Sequence, residues 1–180
     1  LDGSTIRAGH QLLGLASSGP HSTGYSLIRK VMARSAADLD ARFAGPDGAP
    51  VSLGSALLAP TRIYVKPVLS LLQQGGIDGL AHITGGGLTE NIVRVVPDGL
   101  GIDIDTAAWS RPPVFGWLQE NGNIEDREML RTFNCGIGMV MLTPAGEVDA
   151  VMARALALGL ECFRIGEVTP RASGPRAKFS

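Results

Sequence analysis

Apolar residues recur along this chain with two different periods, and the switches between them delimit its elements. Residues 10–16 form a short apolar run closed by a Ser/Gly/Pro cluster, the mark of a buried strand. After it, Leu27, Ile28, Val31 and Met32 share one helical face with Arg29 and Lys30 opposite, and Ser22 or Thr23 stands where an N-cap belongs. Residues 38–52, with Gly45, Pro46, Gly48 and Pro50, read as a polar loop. A second helix is predicted from a first-turn Pro60 through Val65, Val68, Leu69 and Leu72, stopped by Gly75 and Gly76, with Pro67 early enough to be tolerated.

"LAHIT" then gives a strand, "GGG" a turn, and residues 88–96 a brief helix ended by Pro97. "LGIDID" is a third strand, and Pro112 and Pro113 open a helix carrying Val114, Phe115, Trp117 and Leu118, followed by a short helical piece through Met129. "CGIGMVMLT" is a fourth strand. It feeds a helix whose stripe of Val148, Val151, Met152, Ala155 and Leu156 ends at Gly159. "ECFRIGEV" closes the set, and the basic tail "RASGPRAKFS" reads as weakly ordered. Strands alternating with helices predict one layered domain over residues 1–180.

Composition narrows the function classes. With 44% apolar and 18% charged residues in 180, the chain is globular and large enough for a real core. A net charge of −1 gives no long-range attraction to a nucleic acid backbone, and no apolar run reaches membrane-spanning length, so neither partner is expected. Cys135 and Cys162 are too few for a disulfide framework or a zinc site and fit a reducing cytoplasm. The sequence begins at Leu1 without an initiator methionine, which suggests a domain cut from a longer protein or a processed product.

Two segments share one design: "LLGLASSGPHSTGYSLIRKV" and "GLAHITGGGLTENIVRVV" each run strand, Gly-rich turn, helix. A helix N-terminus offers unpaired amides and a partial positive charge, and glycine lets backbone approach an anion. Ser18, Ser22, Thr23 and Thr84 can add hydroxyl donors. Neither segment matches the Walker or dinucleotide fingerprint, so well-capped turns remain the alternative to a phosphate site. His21 and His82 each sit beside such a turn, where an imidazole can bond a phosphate or move a proton; a structural histidine is the competing reading. His10 reads as structural or exposed.

Asp103 and Asp105 alternate on one strand face and suit magnesium only in principle, since a solvated sheet face explains them as well. Cys135 reads as a buried thiol; Asn134 and Gly136 beside it are better ligand-facing candidates. Arg127 and Arg131 can approach a phosphate, although a solvated helix face is the default. Trp109, Phe115 and Trp117 read as core.

Together, "LASSGPHSTGYSLIRKV", "LLAPTRIYVKPVL", "AHITGGGLTENIVRVVP", "VFGWLQ" and "GNIEDREMLRTFNCGIGM" resemble, in family order, the C-terminal domain of the phosphoribosylformylglycinamidine cyclo-ligase (aminoimidazole ribonucleotide synthetase) family. The resemblance implies an α+β fold, a mixed β-sheet with helices packed on both faces in three layers, partly ferredoxin-like. It implies ATP-dependent closure of the imidazole ring of formylglycinamidine ribonucleotide in purine synthesis. ATP and Mg2+ would be held mostly by an N-terminal domain absent from this chain, in a cytoplasmic homodimer of two-domain chains with the cleft between the domains. Ser18, Gly19, His21 and Ser22 would contact the ribose phosphate or nearby substrate atoms. Thr84, Gly85, Gly86 and Gly87 would reach the reacting region, with His82 catalytic and Asn91 and Asn134 lining the cleft; no metal ligand is expected here.

Thr23 stands where the family commonly has asparagine, Leu88 and Thr89 replace bulkier residues, and Val93 replaces a proline. Two other readings stay open: a related ATP-dependent enzyme of the same fold, and a non-catalytic phosphate-binding module.

Overall fold

The computed structural model describes residues 1–45 and 48–180. A six-stranded sheet, in the order β4-β6-β1-β7-β5-β8, forms its centre. The strands are β1 (Gln11–Ala16), β4 (Gly79–His82), β5 (Leu100–Ile104), β6 (Ile137–Thr143), β7 (Cys162–Pro170) and β8 (Ala177–Phe179). All pairings are antiparallel except β5 with β8, which makes the sheet mixed. β1 is the apolar run of the sequence, and it lies between β6 and β7 with side chains buried on both faces.

One face carries the larger core. There α1 (Tyr25–Ser35), α2 (Leu53–Leu57), α4 (Gly87–Asn91), α5 (Pro113–Gly122) and α6 (Asp126–Thr132) bury Ile28, Leu57, Leu88, Phe115 and Met129 against Leu12, Ile104, Val140 and Ile165. On the other face α3 (Val65–Gln73) and α7 (Val148–Ala157) bury Val68, Leu71, Val151 and Ala155 on Leu13, Leu15 and Met141. This second layer covers β4, β6, β1 and the start of β7. Beyond it the sheet is polar, with Arg164 donating to Gln11 at 2.8 Å and Arg171 paired to Asp103 at 2.6 Å.

Several expectations need correction. The polar loop contains a hairpin, β2 (Arg42–Ala44) with β3 (Pro50–Ser52), and then α2, because Leu53 and Leu57 lie one turn apart and both bury. Pro46 of that expectation lies outside the described residues. The second helix starts at Val65, not near Pro60, since residues 60–64 are drawn out over the first Gly-rich turn by hydrogen bonds described below. Its inward side chains are Val68 and Leu71, leaving Val65 and Leu69 62% and 55% exposed. In α7, Leu156 likewise points outward.

The basic tail is ordered. Arg176 donates to the carbonyls of Leu100 and Pro97 at 3.0 and 2.9 Å, and β8 joins the sheet edge behind it. Asp103 and Asp105 are engaged by Arg171 and by the Ala107 amide, in keeping with a solvated sheet face. Trp109 and Phe115 are core, while Trp117 is half-buried against it.

Candidate functional site

β1 and β4 both run antiparallel to β6, which lies between them, so their C-terminal ends emerge at the same sheet edge. The two Gly-rich turns therefore begin side by side. The amide of Ser17 donates to Gly136 O at 2.8 Å and that of Ile83 to Gly138 O at 3.0 Å, so the start of β6 anchors both turns.

The first turn is built on unusual backbone. His21 has φ +56 and Gly24 φ +78. Gly24 is the N-cap of α1, in the left-handed region and without a side-chain cap, so neither Ser22 nor Thr23 caps this helix. Glycine is needed there because a Cβ would stand 2.2 Å from the Phe133 ring. The hydroxyl of Thr23 turns back to Pro20 O at 3.2 Å.

Residues 60–64 lie across this turn as a strap. Ser18 Oγ donates to Pro60 O at 2.5 Å, Ser22 Oγ meets Thr61 Oγ1 at 3.1 Å, the Arg62 amide donates to His21 Nε2 at 3.4 Å, and Tyr64 Oη donates to Ala16 O at 2.7 Å. The sequence reading missed this strap. Its signal was present in "PTRIY", an X-Pro stretch of mixed polarity before a helix, but nothing local says which turn it covers.

Each turn rests on a buried asparagine. Asn134, fully buried, donates to Gly19 O at 2.9 Å and accepts from the Gly136 amide at 2.8 Å and Ser17 Oγ at 3.1 Å. Asn91 donates to the carbonyls of Thr84, Gly85 and Gly87 at 3.2, 3.2 and 2.8 Å and accepts from Thr84 Oγ1 at 3.2 Å. In this fold both amides clasp the turns from beneath, and the Gly136 amide is consumed in the same clasp. Each asparagine matches the several donors and acceptors that a tight turn leaves unpaired. The hydroxyls of Ser18, Thr23 and Thr84 are likewise committed to protein acceptors. What the turns present outward is backbone, above all at Gly85, which is exposed and has nothing within 4 Å of an added Cβ.

Tyr64 joins the turns. Its buried ring lies 6.2 Å from the His21 ring and 6.4 Å from that of His82, which is exposed at the end of β4. His21 is only 5% exposed. Its Nε2 accepts from the Ser18 and Arg62 amides at 3.2 and 3.4 Å, which puts the proton on Nδ1, an atom with no hydrogen-bond partner among the described residues. Burial, with His82 and Arg62 adding to it, lowers the His21 pKa from 6.5 to about 4.

His21 is thus neutral at pH 7, and this has a measurable consequence. The unfolded chain takes up this proton near pH 6.5 and the native one only near pH 4, so between them the unfolded state binds more protons. The contribution is whole above pH 6.5, declines as pH falls, and is spent near pH 4, a loss of about 2–3 kcal/mol. Urea unfolding at pH 7, 5.5 and 4 should show that loss. His21→Asn, which tolerates positive φ, should flatten the decline; equal slopes in both proteins would refute the assignment.

Open clefts flank the strap and meet at Arg62. One, of about 400 Å3, is walled by Val65, Leu69, Leu72, Leu80 and Met139 beside His82. The other, of about 560 Å3, is bordered by Ser17, Ser18, Arg111, Gly136 and Phe163. Arg111 there is tied to Asp126 at 2.6 Å. Arg127 and Arg131 lie exposed on α6, and Arg131 reaches Glu90 at 3.7 Å. Cys135 is buried, its thiol pushed up to about 12 by desolvation, which makes it inert. His10 is structural, bonded to Asp78 at 2.8 Å. Among the described residues no three His, Cys, Asp or Glu side chains gather as a metal site, and no helix is long and apolar enough to cross a membrane.

Residues 7–176 of this chain match the C-terminal domain of AIR synthase related proteins, and the chain belongs to that family. It is 53% identical over 181 residues to the phosphoribosylformylglycinamidine cyclo-ligase of Xanthomonas oryzae pv. oryzae, covering 99% of this chain and 52% of that protein. It is 52% identical over 174 residues to the enzyme of the same name from Burkholderia cenocepacia, covering 97% and 48%. The chain spans about half the length of the curated relatives it matches.

Solved structures share the fold at lower identity. The hydrogenase maturation protein HypE of E. coli superposes with a TM-score of 0.62 at 22% identity, covering 98% of this chain and 48% of that one. Thiamine-monophosphate kinase from Stenotrophomonas maltophilia K279a gives 0.62 at 16%, covering 100% and 52%. T. maritima PurL complexed with ADP gives 0.53 at 14%, covering 95% and 23%.

Proposed function

We propose that this chain is the substrate-side part of a phosphoribosylformylglycinamidine cyclo-ligase, which closes the imidazole ring of formylglycinamidine ribonucleotide at the expense of ATP. The observation that carries this reading is the meeting of the two Gly-rich turns through His21, Tyr64 and His82 at one sheet edge, in a chain 53% identical to proteins of that name.

In this reading ATP supplies the phosphoryl group that turns the formyl oxygen into a leaving group. An amidine nitrogen then attacks that carbon, the C–O bond breaks, and phosphate departs. The attacking nitrogen must lose a proton, and exposed His82, at the rim of an open cleft, is the group we assign to receive it. Backbone at Gly85 and Gly86 lies next to it for the transferred phosphoryl group, above buried Gly87, whose amide is donated to Thr84 O, and the Ser18, Gly19, His21, Ser22 turn forms the neighbouring wall for the ribonucleotide. We place the magnesium and most of the nucleotide contacts, as the family resemblance implies, in the part of the relatives that lies beyond this span. The complete enzyme is then a cytoplasmic homodimer acting on small molecules.

The test is an assay of the complete polypeptide and of this chain alone, with formylglycinamidine ribonucleotide and ATP, following ADP, phosphate and the aminoimidazole product. The complete polypeptide should form all three in equal amounts and this chain none. A complete polypeptide that hydrolyses ATP without the aminoimidazole product, or does neither, refutes the assignment.

A further inference from the structure

We propose that Tyr64 is the positioning residue of this site: its ring sets the separation of His21 and His82, and its hydroxyl fixes the end of β1 from which the His21 turn springs. The proposal rests on the function above for its kinetic consequence, and on the geometry alone for its structural one.

Tyr64 is where three supports of the site come together. It is 4% exposed, and its ring contacts both imidazoles, tilted 58° to His21 and nearly edge-on, at 68°, to His82. Its hydroxyl donates to Ala16 O at 2.7 Å, the last carbonyl of β1 before the first turn. It also immediately precedes α3 and ends the strap, so it joins a helix seated on the sheet to the segment whose Arg62 amide bonds His21.

The floor beneath is Gly138 of β6. A Cβ there would stand 2.1 Å from Tyr64 Oη and 2.6 Å from His21 Cε1, so both side chains occupy space that any other residue would fill. The flanking Met139 pairs with His82 across the strands. One short piece of β6 therefore sets the height of Tyr64 and, through the ladder, the place of His82. Burial raises the phenol well above its ordinary value, so it remains a donor at every pH at which the protein works.

Phenylalanine at this position would keep the ring but leave the Ala16 carbonyl without its donor. Leucine would remove both the ring and the donor. A core tyrosine needs a partner for its hydroxyl but has no reason to choose the carbonyl that launches a functional turn, with an imidazole on either side.

The experiment uses Tyr64→Phe and Tyr64→Leu in two settings. In the complete polypeptide, Tyr64→Phe should lower kcat about tenfold with KM for the ribonucleotide changed less than about threefold, and Tyr64→Leu should lower kcat about a hundredfold, as misplacement of a reacting group does. In this chain alone, NMR of the imidazoles should show the His21 midpoint rising from about 4 toward 6.5 as water reaches the loosened turn, with displaced His82 resonances. A purely structural role would lower the melting temperature but leave kcat, measured well below it, and both imidazoles unchanged; that result overturns the proposal. A fall in kcat with neither imidazole perturbed overturns it as well. If the complete polypeptide proves not to be a cyclo-ligase, the NMR comparison still decides the matter for Tyr64→Phe, the milder substitution.

Discussion

Replacing His82 by alanine in the complete polypeptide should reduce kcat about a hundredfold or more while moving the melting temperature by no more than about 2–4 °C. The two halves of this expectation come from different facts. His82 ends β4 with its side chain exposed, and its ring makes one aromatic contact, edge-on to Tyr64 at 6.4 Å. Losing such a contact costs about 0.5–1 kcal/mol, a small shift for a chain of this size. Nothing in the fold depends on the imidazole, so a large loss of rate has to come from the reaction. Steady-state rates and thermal melts on the same preparations check both halves. Turnover equal to the wild type would remove His82 from the chemistry, and a collapse of stability would make it a structural residue.

Much of this architecture follows from local rules. β1 and β6 are apolar runs bounded by turn residues and α7 carries a helical apolar stripe, and these local patterns place them. The same rules fail where an element owes its state to a distant partner. Residues 60–64 look like the start of a helix because Pro60 suits a first turn, yet four hydrogen bonds to residues 16–22 hold them across the first turn, ahead of the helix. The tail around Arg176 looks disordered because it is basic and contains Gly174 and Pro175, yet backbone carbonyls at residues 97 and 100 satisfy its guanidinium. Both sets of contacts span 39 residues or more, beyond any local window.

The site shows the same division. Glycines and histidines in the two turns advertise a ligand because their chemistry is unusual at strand-to-helix junctions. Asn91 and Asn134 advertise one equally, but their bonds are internal: Asn91 satisfies four backbone or hydroxyl groups of its turn and Asn134 three. An amide beneath a turn and an amide facing a cleft give the same sequence signal, and only the folded hydrogen bonds separate them. Tyr64 gives almost no signal, since a tyrosine before an apolar helix reads as core. Its role depends on β4, β6 and β1 being adjacent, which is a property of the sheet order.

Within the single tripeptide of residues 85–87, folding and function should separate cleanly. Gly87→Ala should destabilise this chain by more than about 3 kcal/mol, whereas Gly85→Ala should change stability by less than about 0.5 kcal/mol. Gly87 has φ +57, and a Cβ on it would lie 2.3 Å from Leu130 O and 2.8 Å from Phe133 O. Those are backbone atoms at the end of α6, so relief requires pushing α4 away from α6, which would expose Leu88 and Leu130 and pull Asn91 out of its clasp. Gly85 has an ordinary φ and open space around it, so its methyl group meets only whatever approaches the turn from outside. Urea unfolding of both variants measures the contrast directly. In the complete polypeptide, Gly85→Ala should then show its cost in KM or kcat instead. If Gly87→Ala unfolds at the wild-type midpoint, α4 and α6 do not approach as described, and the placement of the second turn beside His82 fails with them.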